Sequence, residues 1–215
     1  MILSEVFHNG KSEIKNIIFD WGGVLTNLHF EATKNAFRDL GLTVLDGSDT
    51  HLPHDDLFIS FEIGKISPVE FRNRLRKYAV SPLTDSQIDK AWCAMLGELP
   101  PERWKILEMT QKQYRTFLLS NTNAIHIPYY FNLLQGIYGT NGYTHLFEKT
   151  YYSHILGLRK PNPDIFEYVL RDTGISPLET LFIDDYLENI ETARQLGFQT
   201  VHLKSPLTLT DVFTG

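Results

Sequence analysis

The sequence predicts an α/β protein in which a doubly wound parallel sheet is interrupted, after its first strand, by an all-α insertion. Three observations carry this expectation. Short runs of aliphatic, β-branched and aromatic residues recur at Ile17-Ile18-Phe19, at Tyr114 to Leu119 and at Leu181-Phe182-Ile183, as in strands buried on both faces. Helix-length segments separate the later runs, the alternation that builds a parallel sheet. Between Thr26 and Leu96, by contrast, no convincing strand occurs. Residues 1–25 and 97–215 are therefore expected to form the α/β core, and residues 26–96 a helical domain.

Residues 1–13 read as a polar leader. The first strand then runs into Asp20 and the pair Gly22-Gly23, which can turn the backbone sharply and let it approach a ligand. Four helices follow: Phe30 to Leu40, stopped by Gly41; Asp55 to Ile63, stopped by Gly64; Ser67 to Val80; and Asp85 to Gly97. Ser67 with Glu70 forms a capping-box pattern. Phe71, Leu75 and Tyr78 recur at helical spacing, as do Ile88, Trp92, Met95 and Leu96, and all read as core. Pro100-Pro101-Glu102 opens a helix, the second strand covers Tyr114–Leu119, and an aromatic-rich helix spans Pro128 to Tyr138. A strand at Lys149–Ser153 and a helix from Pro163 to Thr173 come next. A strand at Leu181–Ile183, a helix from Tyr186 to Leu196 and a strand at Gln199–Leu203 complete the alternation.

The 215 residues are 42% hydrophobic, enough for a substantial core. Lys and Arg number 20 against 26 Asp and Glu, a net charge of -6, which argues against a nucleic-acid partner because that needs a basic face. Cys93 is the only cysteine, so no intrachain disulfide forms and a reducing, cytoplasmic setting fits. Met1-Ile2-Leu3-Ser4-Glu5 turns polar too early for a secretory signal, and no apolar run approaches a membrane span. Oligomeric state is not legible.

Chemistry collects at the strand ends. Asp20 sits at the carboxyl end of a buried strand, where open α/β sheets bind ligands; it also reads as an acidic turn residue. The second strand delivers Ser120-Asn121-Thr122-Asn123, either an ordinary polar turn or a cluster of oxyanion donors. The run Leu181-Phe182-Ile183 delivers Asp184-Asp185, a helix-capping doublet or two carboxylates that call for a cation. Lys160 lies in Gly157-Leu158-Arg159-Lys160-Pro161-Asn162-Pro163, where Pro161 favours an extended Lys160 and Asn162-Pro163 suits a helix start. No Gly-x-Gly-x-x-Gly follows the first strand, which disfavours a dinucleotide site.

In order along the chain, these four segments resemble the motifs of the haloacid dehalogenase-like hydrolase superfamily. The likeness extends over nearly the whole chain and implies a Rossmann-like core with a helical cap. Phe61-Glu62-Ile63-Gly64-Lys65-Ile66-Ser67 resembles cap features of the same branch. Ser120 to Asn123, Gly157 to Pro161 and Ile183 to Asn189 are similar to α-D-glucose-1-phosphate phosphatases. The resemblance implies a Mg²⁺-dependent phosphatase acting on small phosphorylated metabolites, such as a sugar phosphate, through an aspartyl-phosphate. It makes Asp20 the nucleophile and Lys160 the charge-neutralising catalytic residue. Ser120 and the backbone amides around Asn121 would bind the phosphoryl group, and Trp21 would line the substrate pocket or pack under the cap. Asp20, the Gly22 carbonyl and Asp185 would hold the metal, with Asp184 supporting it.

One departure matters. Most phosphatases of the superfamily carry a second aspartate two places after the nucleophile, as general acid/base; here that residue is Gly22. General acid/base catalysis typically contributes about 10²–10⁴-fold. The loss is offset by an acidic leaving group, such as an anomeric sugar phosphate, or by a cap residue, for which Glu62 is the candidate. The glucose-1-phosphate branch shares the absence. Two alternatives stay open: a 2-haloacid dehalogenase, which attacks carbon without a metal, and a non-catalytic protein that binds a phosphorylated ligand. The eight histidines, His51 and His54 included, show no zinc-binding pattern on a helix. Tyr129, Tyr130 and Phe131 read as core or interface aromatics, and Tyr186 as a helix cap.

Overall fold

The structure, a computed structural model, describes residues 2–3, 12–42, 56–139 and 143–214. His51, His54, the start of the helix expected from Asp55 and most of the leader lie outside the described residues. The elements are β1 (Ile2–Leu3), β2 (Asn16–Phe19), α1 (Phe30–Asp39), α2 (Asp56–Glu62), α3 (Pro68–Arg76), α4 (Asp85–Cys93) and α5 (Pro101–Thr110). They continue with β3 (Arg115–Ser120), α6 (His126–Tyr138), β4 (Lys149–Tyr152), α7 (Ser153–Leu156) and α8 (Pro163–Thr173). The chain closes with β5 (Thr180–Asp184), α9 (Leu187–Gln195), β6 (Gln199–His202), α10 (Leu209–Val212) and β7 (Phe213–Thr214).

Five strands form one parallel sheet in the order β4-β3-β2-β5-β6. Side chains alternate across it, because successive Cβ atoms of a strand point to opposite faces. Ile18, Phe117, Leu119 and Phe182 pack with Phe166 and Val169 of α8 and Ile190 of α9. Ile17, Phe19, Leu118 and Ile183 face the other way, toward Trp104 and Leu107 of α5 and Tyr130 and Leu134 of α6. That second cluster continues into the helical insertion α1–α4 through Phe58, Phe61, Phe71 and Trp92. The rings of Phe61 and Phe71 stack at 4.2 Å, and Trp92 stacks on His126 of α6 at 4.9 Å.

Two segments connect the insertion to the sheet, and they run side by side. Asn27 N–H donates to Glu98 O at 3.0 Å, Gly97 N–H to Asn27 O at 2.9 Å and His29 N–H to Met95 O at 2.8 Å. This pairing explains why α4 stops at Cys93 rather than running to Gly97: the following residues leave the helix to pair with the incoming connection. Helix α3 stops at Arg76, not Val80, in i→i−3 bonds from Tyr78 and Ala79 that tighten a helix end. Tyr78 is consequently exposed rather than core. Ser67 does cap α3, accepting from Glu70 N–H, but the Glu70 carboxylate pairs with Arg74; complete capping boxes are at Thr84 with Gln87 and at Thr208 with Asp211. Asn162 precedes α8 without a side-chain cap bond, and the Lys160–Pro161 peptide is cis.

Sequence periodicity misses β1, β7, α7 and α10, all of two to four residues and too short to show a period. The antiparallel pair β1·β7 brings the two chain ends together. Phe71, fully buried among Phe58, Phe61 and Trp92, anchors the insertion. Phe71→Ala is expected to cost about 3–5 kcal/mol in urea unfolding; a loss below about 1 kcal/mol would mean that the insertion does not share the fold's cooperative core.

Candidate active site

The strand order reverses around β2: the chain moves outward through β3 and β4, then crosses to β5 and β6 on the other side. Ligands of open α/β sheets bind beyond the carboxyl ends of the strands at such a point. The register sets Phe19 opposite Leu118 on one neighbour and Ile183 on the other. Asp20, Ser120 and Asp184 therefore leave the sheet at nearly one level, although they are far apart in the chain.

Lys160 reaches this rim from the loop between α7 and α8 and is 1% exposed. Its Nζ donates to Asp20 Oδ1 at 2.7 Å, Asp184 Oδ2 at 2.7 Å and the Leu119 carbonyl at 2.8 Å, using all three ammonium protons. Burial pulls the Lys160 pKa down, but Asp184 and Asp20 outweigh it and the net shift is upward, so the ammonium stays charged. The loop is held by its main chain: Asn121 Nδ2 donates to Lys160 O at 2.8 Å and Asn121 Oδ1 accepts from Lys160 N–H at 2.9 Å. The Asn121 side chain thus positions Lys160 rather than facing a ligand.

Oxygen atoms of Asp20, Asp184 and Asp185 lie within 4.8 Å of one another. Asp184 is fully buried and saturated by Tyr186 N–H at 2.8 Å, two contacts from Asn189 Nδ2 at 2.9 and 3.0 Å, and Lys160. Asp20 Oδ2 and the Asp185 carboxylate stay outside that web. Three carboxylates against one ammonium leave a formal deficit that suits a divalent cation, and an all-oxygen donor set suits a hard one. The turn after Asp20 fits as well. Its bonds run from Gly23 N–H to Thr26 O and from Leu25 and Thr26 N–H to Trp21 O, leaving the Gly22 carbonyl out. Gly23 has φ +78, and a Cβ there would lie 2.1 Å from Asp185 Oδ2, so only glycine lets the turn approach this carboxylate. Burial, with Asp184 and Asp185 adding to it, raises the Asp20 pKa against the pull of Lys160.

Asp20, Gly22, Lys160 and Asp185 line a cavity of about 380 Å³. Ser120 lines it too and is 4% exposed. Trp21 borders the cavity while its ring packs on Tyr143 at 4.2 Å and edge-on to Tyr130 at 5.4 Å. Tyr130 is buried, whereas Tyr129 is 41% exposed. Glu62 accepts from Arg159 Nε at 2.6 Å and so ties α2 to the Lys160 loop. Sequence reasoning missed this latch, the Asn189 contacts and His126, a buried cavity-lining ring that burial holds neutral with a pKa near 3. Asn189 had a signal, its place one helical turn after Asp185; His126 had none.

A family model for the haloacid dehalogenase-like hydrolases matches residues 14–197, and the chain belongs to that family. It is 34% identical to D-ribitol-5-phosphate phosphatase of Bacteroides thetaiotaomicron over 87% of this chain and 90% of that protein. It is 28% identical to the sesquiterpene phosphatase astK of Aspergillus oryzae, over 90% and 91% of the two chains. A Bacteroides thetaiotaomicron enzyme of the same family, crystallised with magnesium and inorganic phosphate, superposes with a TM-score of 0.86 at 34% identity, covering 94% of this chain and all of that one. The α/β fold read from the sequence and the family resemblance both stand. Among the described residues no helix is long and apolar enough to cross a membrane.

Burial, then the Asp184 carboxylate, raises the Asp185 pKa from 3.8 to about 6, with Lys160 opposing. An acid whose folded pKa is raised holds its proton better when folded, so this group costs the cation-free protein stability as pH rises through that window. A bound cation offsets the cost only where the carboxylate is ionised. Mg²⁺ is therefore expected to raise the melting temperature clearly at pH 7.5 and little at pH 5 in scanning calorimetry; equal shifts at both would contradict the assignment.

Proposed function

We propose that the chain is a Mg²⁺-dependent phosphatase of small phosphorylated metabolites, working through an aspartyl-phosphate on Asp20. The contact that carries this reading is the buried Lys160 ammonium at 2.7 Å from Asp20 at the switch point of the sheet. The magnesium in the structure of the related Bacteroides enzyme supports the cofactor. The single buried Cys93 supports a reducing, cytoplasmic setting. We also assign residues 26–96 as a cap over the site.

In this mechanism the Asp20 carboxylate attacks phosphorus, the ester P–O bond breaks, and the alcohol oxygen leaves with the bonding electrons. Water then hydrolyses the acyl phosphate and returns the carboxylate. Lys160 balances charge between Asp20 and the phosphoryl group, and the Ser120 hydroxyl with the amides around Asn121 receives its equatorial oxygens. Asp20, Asp185 and the Gly22 carbonyl, with Asp184 behind them, would hold Mg²⁺, which would supply positive charge to the phosphoryl oxygens. Glu62, the candidate substitute acid, is engaged with Arg159, so the leaving group must be intrinsically acidic. Anomeric sugar esters, glucose 1-phosphate among them, meet this condition.

A carbon-attacking haloacid dehalogenase is the weaker reading: the likeness to L-2-haloacid dehalogenase of Xanthobacter autotrophicus, at 20% identity and TM-score 0.59, is one of fold alone. That reaction also leaves the Asp185 carboxylate, which stands beside Asp20 and Asp184, without a purpose. Purified protein assayed on a phosphomonoester panel is expected to release phosphate only with Mg²⁺, and Asp20→Asn to abolish release. No turnover on any ester, or undiminished turnover in Asp20→Asn, overturns the reading.

The structure also shows what a restored acid would meet. A Cβ at residue 22 would lie 2.6 Å from Leu28 Cδ1, so Gly22→Asp needs Leu28 to yield. Gly22→Asp combined with Leu28→Ala is expected to speed esters with poor leaving groups by about 10-fold or more while changing activated esters little. Uniform acceleration of all substrates would refute the missing-acid argument.

A further inference from the structure

We infer that the cavity selects phosphomonoesters whose alcohol half is an apolar ring, aryl phosphates as a class, over sugar and polyol phosphates. This inference rests on the phosphatase reading and deepens it, because an acidic leaving group alone admits both anomeric sugars and phenols. The cavity walls distinguish them.

Away from Asp20, Ser120, Lys160 and Asp185, the cavity is bounded by Leu28, Phe30, Phe58, Ile59, Met95 and Leu96. Leu28, Phe30 and Ile59 are only half-buried, so apolar surface on this wall is still available to a ligand. Beyond Thr122, Glu188 and the outer nitrogens of Arg159, most polar side chains of the lining are committed to protein partners. Asn121 clamps Lys160, and Asn123 Oδ1 accepts from the N–H groups of Ile125 and His126 at 3.0 and 3.1 Å. His126 Nε2 bonds Trp92 O at 3.2 Å, Glu62 pairs with Arg159, and Asn189 holds Asp184. A polyhydroxylated body entering here would exchange water for a wall with few groups to replace it, which is unfavourable for each buried hydroxyl. A planar apolar ring instead buries the half-exposed side chains and finds aromatic neighbours in Phe30 and Phe58.

A phenol also leaves as a stabilised anion, which suits a site where Leu28 fills the space of a side chain at residue 22. The wall chemistry and the absent acid are independent features, and both favour the same substrate class.

The test separates binding from turnover. Benzylphosphonate and a polyhydroxyalkyl phosphonate of similar size, neither hydrolysable, are titrated calorimetrically into the Mg²⁺-loaded full chain. Benzylphosphonate is expected to bind about tenfold more tightly. Ile59→Asn, on the half-buried wall, is expected to weaken it about tenfold while leaving inorganic phosphate binding unchanged. Leu28→Asn replaces that variant should its thermal melt show a folding defect. Equal affinity for the two phosphonates, or preference for the hydroxylated one, overturns the inference whatever the variants do. Tight benzylphosphonate binding without turnover of any ester would leave the inference standing and remove the phosphatase reading. Phosphatase activity with no preference between the phosphonates would do the reverse.

Discussion

The Lys160 ammonium, buried and bound to Asp20, Asp184 and the Leu119 carbonyl, is the constraint on which the site depends. A lysine removed from water gives up its proton unless carboxylates outweigh the loss of hydration; here two do, within 2.7 Å. The same contacts fix three strand ends relative to one another, because Asp20 follows β2, Leu119 lies in β3 and Asp184 ends β5. The lysine's backbone must be equally well fixed for this to work, and the two-way clamp by Asn121, from the end of β3, does that. Removing either partner of such a pair leaves an uncompensated buried charge, which is strongly destabilising. Site geometry and fold stability are thus one set of interactions.

The division of labour between the adjacent aspartates follows from that network. Asp184, inside it, has every lone-pair direction taken and serves as an anchor. Asp185, one residue on, leaves the network and stands against the Gly22-Gly23 turn. The close approach of Gly23 to its carboxylate shows why the turn carries glycine there. The doublet is therefore two different groups, a structural carboxylate and one left available to a ligand.

Much of this was legible in the sequence because it is written in local patterns. Apolar runs ending in Asp20, Ser120 and Asp184 announce buried strands and polar rims together, and the parallel alternation then implies that those rims share one edge. Element ends were less legible: α4 stops early because tertiary hydrogen bonds, such as His29 N–H to Met95 O, capture the chain before the apolar periodicity fades, and α3 because its last turn tightens into i→i−3 bonds. The role of Asn121 was hidden for a related reason. A polar residue after a strand reads the same whether its amide faces a ligand or grips a loop thirty-nine positions away.

The walls of the cavity were the least legible part, and the reason is physical. Periodicity detects apolar side chains that avoid water, and it does not distinguish a side chain packed on a neighbouring helix from one facing a ligand. Phe71 and Ile59 stand on the same insertion, yet Phe71 is sealed in a ring stack while Ile59 keeps surface toward the cavity. Leu28, Met95 and Leu96 come from the paired connections, and the helical spacing that Met95 and Leu96 share with Ile88 and Trp92 reads only as core. The strand ends that carry the chemistry are fixed by sheet register, so motif residues can be read one by one. The apolar cavity wall draws on α2 and the two connecting segments, and its character emerges only when those three are brought together.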